Sequence, residues 1–224
     1  MIKLYIQTFI DTLKSPRNVV DSFIHTDKSE YQHPFKFCLI GTLFFLAINL
    51  IFMDFSIHAE VMQIHGDNEQ LVELAVWMNE ATVRASTQFL PLSMFLLLIP
   101  MLSLPALFFF RDEMESFYSN LVLNSYIVGA SMAAFLVLIP MWTLLELPLT
   151  DSFMNTTLPA VIIGSVGLWI YKHYFRISDI NGWIRIISSY ISGYILFILM
   201  KGFISGIIGY MMFAVNRIRE LSGG

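Results

Sequence analysis

Charged residues are scarce in this chain of 224 residues. Asp, Glu, Lys and Arg together make up 13% of it, whereas 56% is hydrophobic. A soluble domain carries about 25% charged and about 45–50% apolar residues, so this chain has too little polar surface to cover a water-facing globule. The same composition excludes a disordered chain, which needs low hydrophobicity. We therefore expect a polytopic membrane protein.

Cysteine and excess basic charge are also lacking. A single cysteine, Cys38, excludes an intramolecular disulfide, a CxxC pair and a thiolate metal cluster. The net charge of −4 gives no basic footprint for nucleic acid. GxSxG, HExxH, P-loop and GxGxxG motifs are absent in their proper context. We expect no cofactor and favour a protein that is not an enzyme.

Long charge-free stretches predict an all-α bundle of about five membrane-spanning helices. A span needs about 20 mostly apolar residues, because the hydrocarbon core is about 30 Å thick and each residue rises about 1.5 Å. We find no internal repeat or linker, so residues 1–224 are predicted to form one integral membrane domain. The predicted spans are about 37–53, 88–110, 117–145, 153–171 and 186–213.

The last apolar stretch has two interpretations. One helix over 186–213 would be about 42 Å long and would have to tilt or protrude. Two short legs turning near Lys201 would form a re-entrant hairpin and return the basic tail to the inside. Length favours one helix and charge favours the hairpin. We take the single helix, and the side of the C-terminus stays open.

Basic residues in the short loops predict the orientation. Residues 1–36 carry five Lys or Arg, whereas 54–84 carries one together with six acids. Alternating the loops places nine basic residues inside and one outside before the last stretch, in agreement with the positive-inside rule. We expect a multi-pass protein of the bacterial cytoplasmic (inner) membrane with a cytoplasmic N-terminus and an acidic outer segment.

Two amphipathic segments lie outside the predicted spans. Residues 4–24 mix apolar and basic positions, and Pro16 interrupts them, which predicts two short helices on the inner membrane surface. Residues 61–89 predict an outer helix packed on the bundle. Its apolar positions at helical spacing are Leu71, Leu74, Ala75 and Met78.

Three aromatic patches accompany the spans. They are Tyr31-Gln-His-Pro34-Phe35-Lys-Phe37, then Phe110-Arg111 with Glu115-Ser-Phe-Tyr118, and Leu168-Trp-Ile-Tyr171-Lys-His-Tyr174-Phe175 with Ile184-Arg185. In these patches the chain resembles an uncharacterised bacterial family of small polytopic membrane proteins, distantly similar to the five-span Yip-type proteins of vesicle traffic. The resemblance implies the architecture and no particular activity. The chain lacks the family's N-terminal zinc ribbon, and Ser119-Asn120 stands where many members have an acid–His pair.

The same patches have a physical interpretation. Pro34 suits the first turn of a helix because it has no N–H to leave unpaired. Aromatic side chains near span ends are typical of the belts at membrane surfaces. The residues predicted at the inner belt are Tyr31, Phe35, Phe37, Trp169, Tyr171, Tyr174 and Trp183.

Two charged residues near the predicted outer surface are candidates for an intramembrane polar site. Lys201 is either a cation for a substrate anion, lipid head group or proton, or a lysine that snorkels to the outer surface beside Glu146 or Asp151. Glu146 is either a catalytic acid or an acid that marks a helix end. We favour the second interpretation of each.

Two amides and two histidines complete the candidates. Asn120 and Asn124 share one helix face and either bond neighbouring helices or line a polar pathway; we favour the bonds. His58, His65 and Asp67 resemble a zinc site only loosely, because Gly66 interrupts the helix between them, and we expect no bound metal.

Three functions remain open from the sequence. The first is a non-enzymatic membrane scaffold that contacts membrane lipids, other membrane proteins or a second copy of itself. Its basis is the wealth of packing motifs and the lack of chemical ones. The second is a small permease or oligomeric pore, supported by prolines within the spans, by Lys201 and by the Asn pair. The third is an intramembrane enzyme that modifies lipids.

Overall fold

The fold is helical throughout the residues that the computed structural model describes. These are 2–25, 30–52, 69–86, 93–114, 116–144 and 158–222, and no strand occurs among them. Eight helices follow one another along these ranges. They are α1 (Ile2–Lys14), α2 (Pro16–His25), α3 (Pro34–Phe52), α4 (Glu69–Ser86), α5 (Met94–Phe109), α6 (Phe117–Leu144), α7 (Leu158–Tyr174) and α8 (Ile180–Leu221).

The N-terminal segment forms two helices with the break where Pro16 predicts it. Ser15 separates α1 from α2, and Pro16 occupies the first helical position of α2, where its missing N–H costs nothing. Helix α1 turns a polar face to the protein, because Thr8 and Thr12 are fully buried. Four large apolar side chains, Ile2, Leu4, Ile6 and Ile10, are exposed on α1 together with Lys3, Gln7 and Lys14.

Helix α5 begins with a wide π turn over Met94–Leu98 and continues as an α-helix over Ile99–Phe109. The Ile99 N–H donates to the carbonyl of Met94, five residues earlier. The next residue, Pro100, has no N–H to give to the regular α-helical ladder, which explains the local widening. Pro100 is one of the prolines within the predicted spans, and here it marks the irregularity.

Helix α6 is the centre of the bundle. Residues 122–133 are buried at every position, and α6 contacts α1, α2, α3, α5 and α7. Its closest approach is to α3. A Cβ added at Gly129 would lie 2.5 Å from Cδ1 of Phe37 and 3.2 Å from Cα of Cys38. Only glycine admits this crossing, so the small-residue spacing around Gly129 serves packing within one chain.

Helix α8 runs without interruption for 42 residues. It begins at the N-cap Asp179, whose carboxylate accepts from the Gly182 N–H. At 1.5 Å per residue it is about 63 Å long, roughly twice the thickness of a hydrocarbon core. The turn near Lys201 that the hairpin interpretation requires is not formed, and the single-helix interpretation describes this segment.

The second half of α8 pairs with α4 in an antiparallel arrangement. Near the end of α8, Arg217 forms an ion pair with Glu73 at 3.2 Å. About two turns before Arg217, a Cβ added at Gly209 would lie 2.5 Å from Cα of Met78 and 2.9 Å from the carbonyl oxygen of Trp77. We call α4 together with residues 202–221 the distal helix pair. The outer helix predicted from the sequence therefore packs on α8, while Leu71 of its predicted apolar face is 62% exposed.

The structure changes several predicted span limits. Among the residues that the structure describes, two helical segments are long and apolar enough to cross a membrane, Phe117–Leu138 and Ile180–Glu220, and two shorter apolar ones are Pro34–Ala47 and Met94–Phe109. Helix α8 exceeds the predicted 186–213 at both ends, because Asp179 caps it early and α4 supports it late. The predicted residues 88–92 and 153–157 lie outside the described ranges.

Candidate functional site

A buried cluster of amides and hydroxyls lies where α5, α6 and α7 meet. Asn124 of α6 is its centre, with 1% of its surface exposed. Its Nδ2 donates to Oγ of Ser103 at 3.1 Å, and its Oδ1 accepts from the Tyr171 hydroxyl at 2.8 Å. One side chain therefore bonds two neighbouring helices, and we call this group the Asn124 cluster.

Two further polar side chains border the cluster. Asn120, one helical turn before Asn124, donates from Nδ2 to the carbonyl of Ser116 just before its own helix. Its Oδ1 is buried without a hydrogen-bond partner, and so is Oγ of Ser189 on α8. Both side chains are fully buried. A buried acceptor of this kind costs roughly 1–3 kcal/mol when nothing bonds it.

Arg185 of α8 forms a clamp at the end of α5. Its guanidinium donates to both carboxylate oxygens of Glu113 at 2.9 Å, and Nε donates to the carbonyl of Phe109 at 2.8 Å. That carbonyl belongs to the last turn of α5, where backbone carbonyls have no N–H partner within the helix. The clamp thus caps α5 and binds it to α8 with a planar, bidentate pair.

Aromatic rings surround the clamp. Phe110 stacks on Phe175 with ring centroids 4.0 Å apart and an interplanar angle of 5°, and the guanidinium of Arg185 lies 4.8 Å from the Phe110 centroid. Tyr171 approaches the same rings at about 6 Å. The second and third aromatic patches of the sequence thus meet at one end of the bundle, around a cation–π contact.

Two hydrogen bonds tie the N-terminal helices to the bundle, and a third ties the segment just before α3 to it. The Tyr126 hydroxyl donates to the carbonyl of Gln32 at 2.9 Å, Nε1 of Trp169 donates to the carbonyl of Leu13 at 2.9 Å, and the Tyr174 hydroxyl donates to the carboxylate of Asp21 at 3.0 Å. Helices α1 and α2 are therefore fixed parts of the structure.

Three of the residues predicted at the inner aromatic belt, Phe37, Tyr171 and Tyr174, are buried inside the protein instead. Phe37 and Tyr171 are fully buried in the core, Phe37 against Tyr5 and α6, and Tyr171 in the Asn124 cluster. Trp169, by contrast, exposes about half of its surface. Aromatic residues near span ends occur both in cores and in belts, so composition alone does not distinguish the two locations.

The structure places two of the predicted site residues close together, and the others lie elsewhere on α8 or outside the described ranges. Asn120 and Asn124 belong to one buried cluster, in which Asn124 bonds neighbouring helices while Asn120 donates to the carbonyl of Ser116 just before its own helix. Lys201 lies half-buried on α8, three turns beyond Ser189. The predicted residues outside the described ranges are His58, His65, Asp67, Glu146 and Asp151. Among the residues that are described, no three His, Cys, Asp or Glu side chains are grouped as a metal site would need.

Three site residues carry no clear signal in the sequence. Ser103 is a single hydroxyl in an apolar stretch, Ser189 is one of three serines within 188–192, and Arg185 pairs with Glu113, 72 residues away in the sequence. In the sequence, Arg185 is marked only by its position beside the third aromatic patch. The Asn124 cluster consists of neutral amides and hydroxyls, so it can hold helices together or bind a polar group, but it offers no charged acid or base at physiological pH.

Comparison with known proteins leaves these features without a counterpart. No family model, curated protein or solved structure matches the chain. The resemblance to Yip-type proteins therefore stays a prediction.

Proposed function

We propose that this chain is a five-span integral membrane protein with a cytoplasmic N-terminus, which acts by contacting lipids and other proteins in the membrane. The five spans are α3, the segment that ends with α5, α6, α7 and the first half of α8. Under this proposal the protein performs no catalysis and carries no solute across the membrane.

The observation that carries this proposal is the exposure of α8. Apolar side chains that are half or more exposed recur along its whole length, from Ile180 (79%) to Ile218 (65%). Monomeric soluble proteins rarely expose such a continuous apolar surface, because it drives association in water. A lipid environment removes this cost for the first half of α8, and it equally accommodates the exposed isoleucines of α1.

The length of α8 supports the orientation. Lys201 lies 21 residues after Ile180, about 32 Å along the helix, which is one hydrocarbon thickness. A lysine at that height reaches the outer surface, as the snorkelling interpretation expects. The distal helix pair then lies outside, and with Lys201 its two additional arginines leave nine basic residues inside against four outside. The ion pair of Arg217 with Glu73 supports the same arrangement.

The bonding of the Asn124 cluster favours a structural role over a pathway. The Asn124 amide bonds one neighbouring helix through its nitrogen and another through its oxygen, and the Tyr171 hydroxyl donates to that oxygen. A transport site needs polar groups that a passing solute can reach, whereas the bonded groups of this cluster and the two unbonded atoms beside it are all buried inside the bundle. Interhelical bonds of this kind stabilise membrane helices by about 0.6–2 kcal/mol each.

Reconstitution into liposomes tests the proposal against a permease. We expect proton, potassium and chloride fluxes equal to those of protein-free liposomes, both for the wild type and for Lys201→Leu. A flux in the wild type that Lys201→Leu or Asn124→Leu removes would contradict the proposal. Ser125→Ala is the matched control, because the Ser125 hydroxyl bonds only the carbonyl of Leu121 in its own helix.

A further inference from the structure

One face of the distal helix pair is apolar and uncovered. Seven large side chains of α8 beyond Lys201 each expose between 46% and 65% of their surface. They are Phe203, Ile207, Ile208, Tyr210, Met211, Val215 and Ile218. At 100° per residue they occupy about 160° of the helix, and the centre of this arc lies opposite Gly209, the residue that contacts α4. We call these seven residues the distal apolar face.

Lipid cannot cover most of this face if the proposed topology holds, and the inference rests on that proposal. Residues 202–221 extend about 30 Å beyond Lys201. The head-group layer adds only about 5–8 Å on each side of the hydrocarbon core. Tyr210, Met211, Val215 and Ile218 would therefore lie in the outer aqueous compartment, where an apolar surface of this extent is typical of a protein interface.

We infer that the distal apolar face binds the same face of a second copy of this chain. The face carries no charge, so two identical copies meet without like-charge repulsion. Of the nearby charges, Arg217 pairs with Glu73 and Glu220 within one chain, and the exposed Arg219 lies at the edge of the face. A partner recognised by charge would need charges on this face, and it offers none.

The membrane itself favours this pairing. Two copies inserted in the same orientation hold their α8 helices parallel and at equal height, so each residue of the face meets its own counterpart around a two-fold axis along the membrane normal. Such isologous pairs are the commonest oligomers. Seven half-exposed large side chains offer roughly 600 Å² per copy, close to the roughly 800 Å² per partner of a stable interface.

A groove beside the face provides room for side chains of the second copy. It has a volume of about 300 Å³ and opens between α4 and α8. Two residues of the face, Met211 and Val215, form one wall, and Trp77 of α4 lies in the lining. Methionine and tryptophan surfaces adapt well to an inserted apolar side chain.

Disulfide cross-linking in intact membranes tests the inference. In a Cys38→Ser background, Ile207→Cys and Met211→Cys should each give a covalent dimer of twice the 25.7 kDa chain mass under mild oxidation. Leu71→Cys is the matched control, because Leu71 is 62% exposed on α4 of the same distal helix pair but is not part of the face. We expect its cross-linking yield to be at least tenfold lower.

A second variant measures the contribution of the face. Met211→Glu places two like charges opposite each other and should weaken dimerisation of the purified full chain at least tenfold, as measured by single-molecule photobleaching in liposomes. Met211 is 60% exposed and lies almost opposite Gly209 on α8, so the substitution spares the close contact with α4 at Gly209. A monomeric wild type, equal yields at Ile207 and Leu71, or cross-linking to a different protein would each overturn the inference.

The failure of this inference is distinguishable from the failure of the proposed function. If a cysteine at Arg219 reacts from outside while the chain is monomeric, the topology stands and only the dimer is wrong. If that cysteine reacts only from inside, the distal helix pair is not outside, and both proposals are wrong.

Discussion

Replacing Gly209 by leucine is expected to separate α4 from α8. A Cβ at this position would lie 2.5 Å from Cα and 2.8 Å from N of Met78, and backbone atoms cannot move aside as a flexible side chain can. Overpacking of this kind costs about 1–3 kcal/mol. Local opening of α4 should therefore become roughly five to 150 times more frequent. Trypsin cleavage after Arg84, within α4, measures this opening in the detergent-solubilised chain.

Gly202→Leu is the control for Gly209→Leu. A Cβ at Gly202 has no atom within 4 Å, yet the residue lies on the same helix two turns earlier. Both substitutions gain the same helix propensity, so the difference between them isolates the contact with α4. Equal cleavage rates at Arg84 in the two variants would contradict the tight α4–α8 contact.

Arg185→Leu is expected to lower the stability of the whole bundle. The substitution leaves the Glu113 carboxylate and the Phe109 carbonyl without their donor and removes the cation from the Phe110 ring. Because about a third of the Arg185 and Glu113 side chains is exposed, water compensates part of the loss, and we expect about 1–3 kcal/mol. For a chain of this size that corresponds to a decrease in Tm of roughly 3–10 °C in detergent.

Two further variants distinguish the effect of the bidentate hydrogen bonds of Arg185 from the effect of its positive charge. Arg185→Lys keeps the positive charge but cannot form the bidentate pair, so its Tm should fall between those of the wild type and Arg185→Leu. Arg111→Leu removes a cation from an exposed position two residues before Glu113 and should change Tm little. If Arg111→Leu destabilised the chain as much as Arg185→Leu does, net charge rather than the clamp would be responsible.

The helices themselves could be predicted because their signals are local. Charge-free stretches locate α3 and α6 to within a few residues, and Pro16 marks the break between α1 and α2. The length of the last apolar stretch correctly favours one helix. Each of these features depends on residues close together in the sequence, where period, proline and charge act directly on the backbone.

Long-range partners could not be predicted in the same way. The apolar spacing of α4 indicates that one face packs, but it does not say that the partner is residues 202–221, more than 120 positions later. Arg185 and Glu113 are 72 residues apart and look like ordinary loop charges. Tyr171 was expected at a membrane surface, yet its hydroxyl finds Asn124 in the core. Such choices depend on which helices meet, and the pattern of one helix does not contain that information.

Labelling the two ends of α8 tests most directly whether this helix crosses the membrane and in which direction. Single cysteines at Ser178 and Arg219, in a Cys38→Ser background, both lie at exposed positions and bracket the helix. Treated with an impermeant maleimide in intact cells, Arg219→Cys should react at once, and Ser178→Cys only after lysis. Labelling of both before lysis, or of neither, would mean that α8 does not cross the membrane, and the reverse pattern would contradict the proposed orientation.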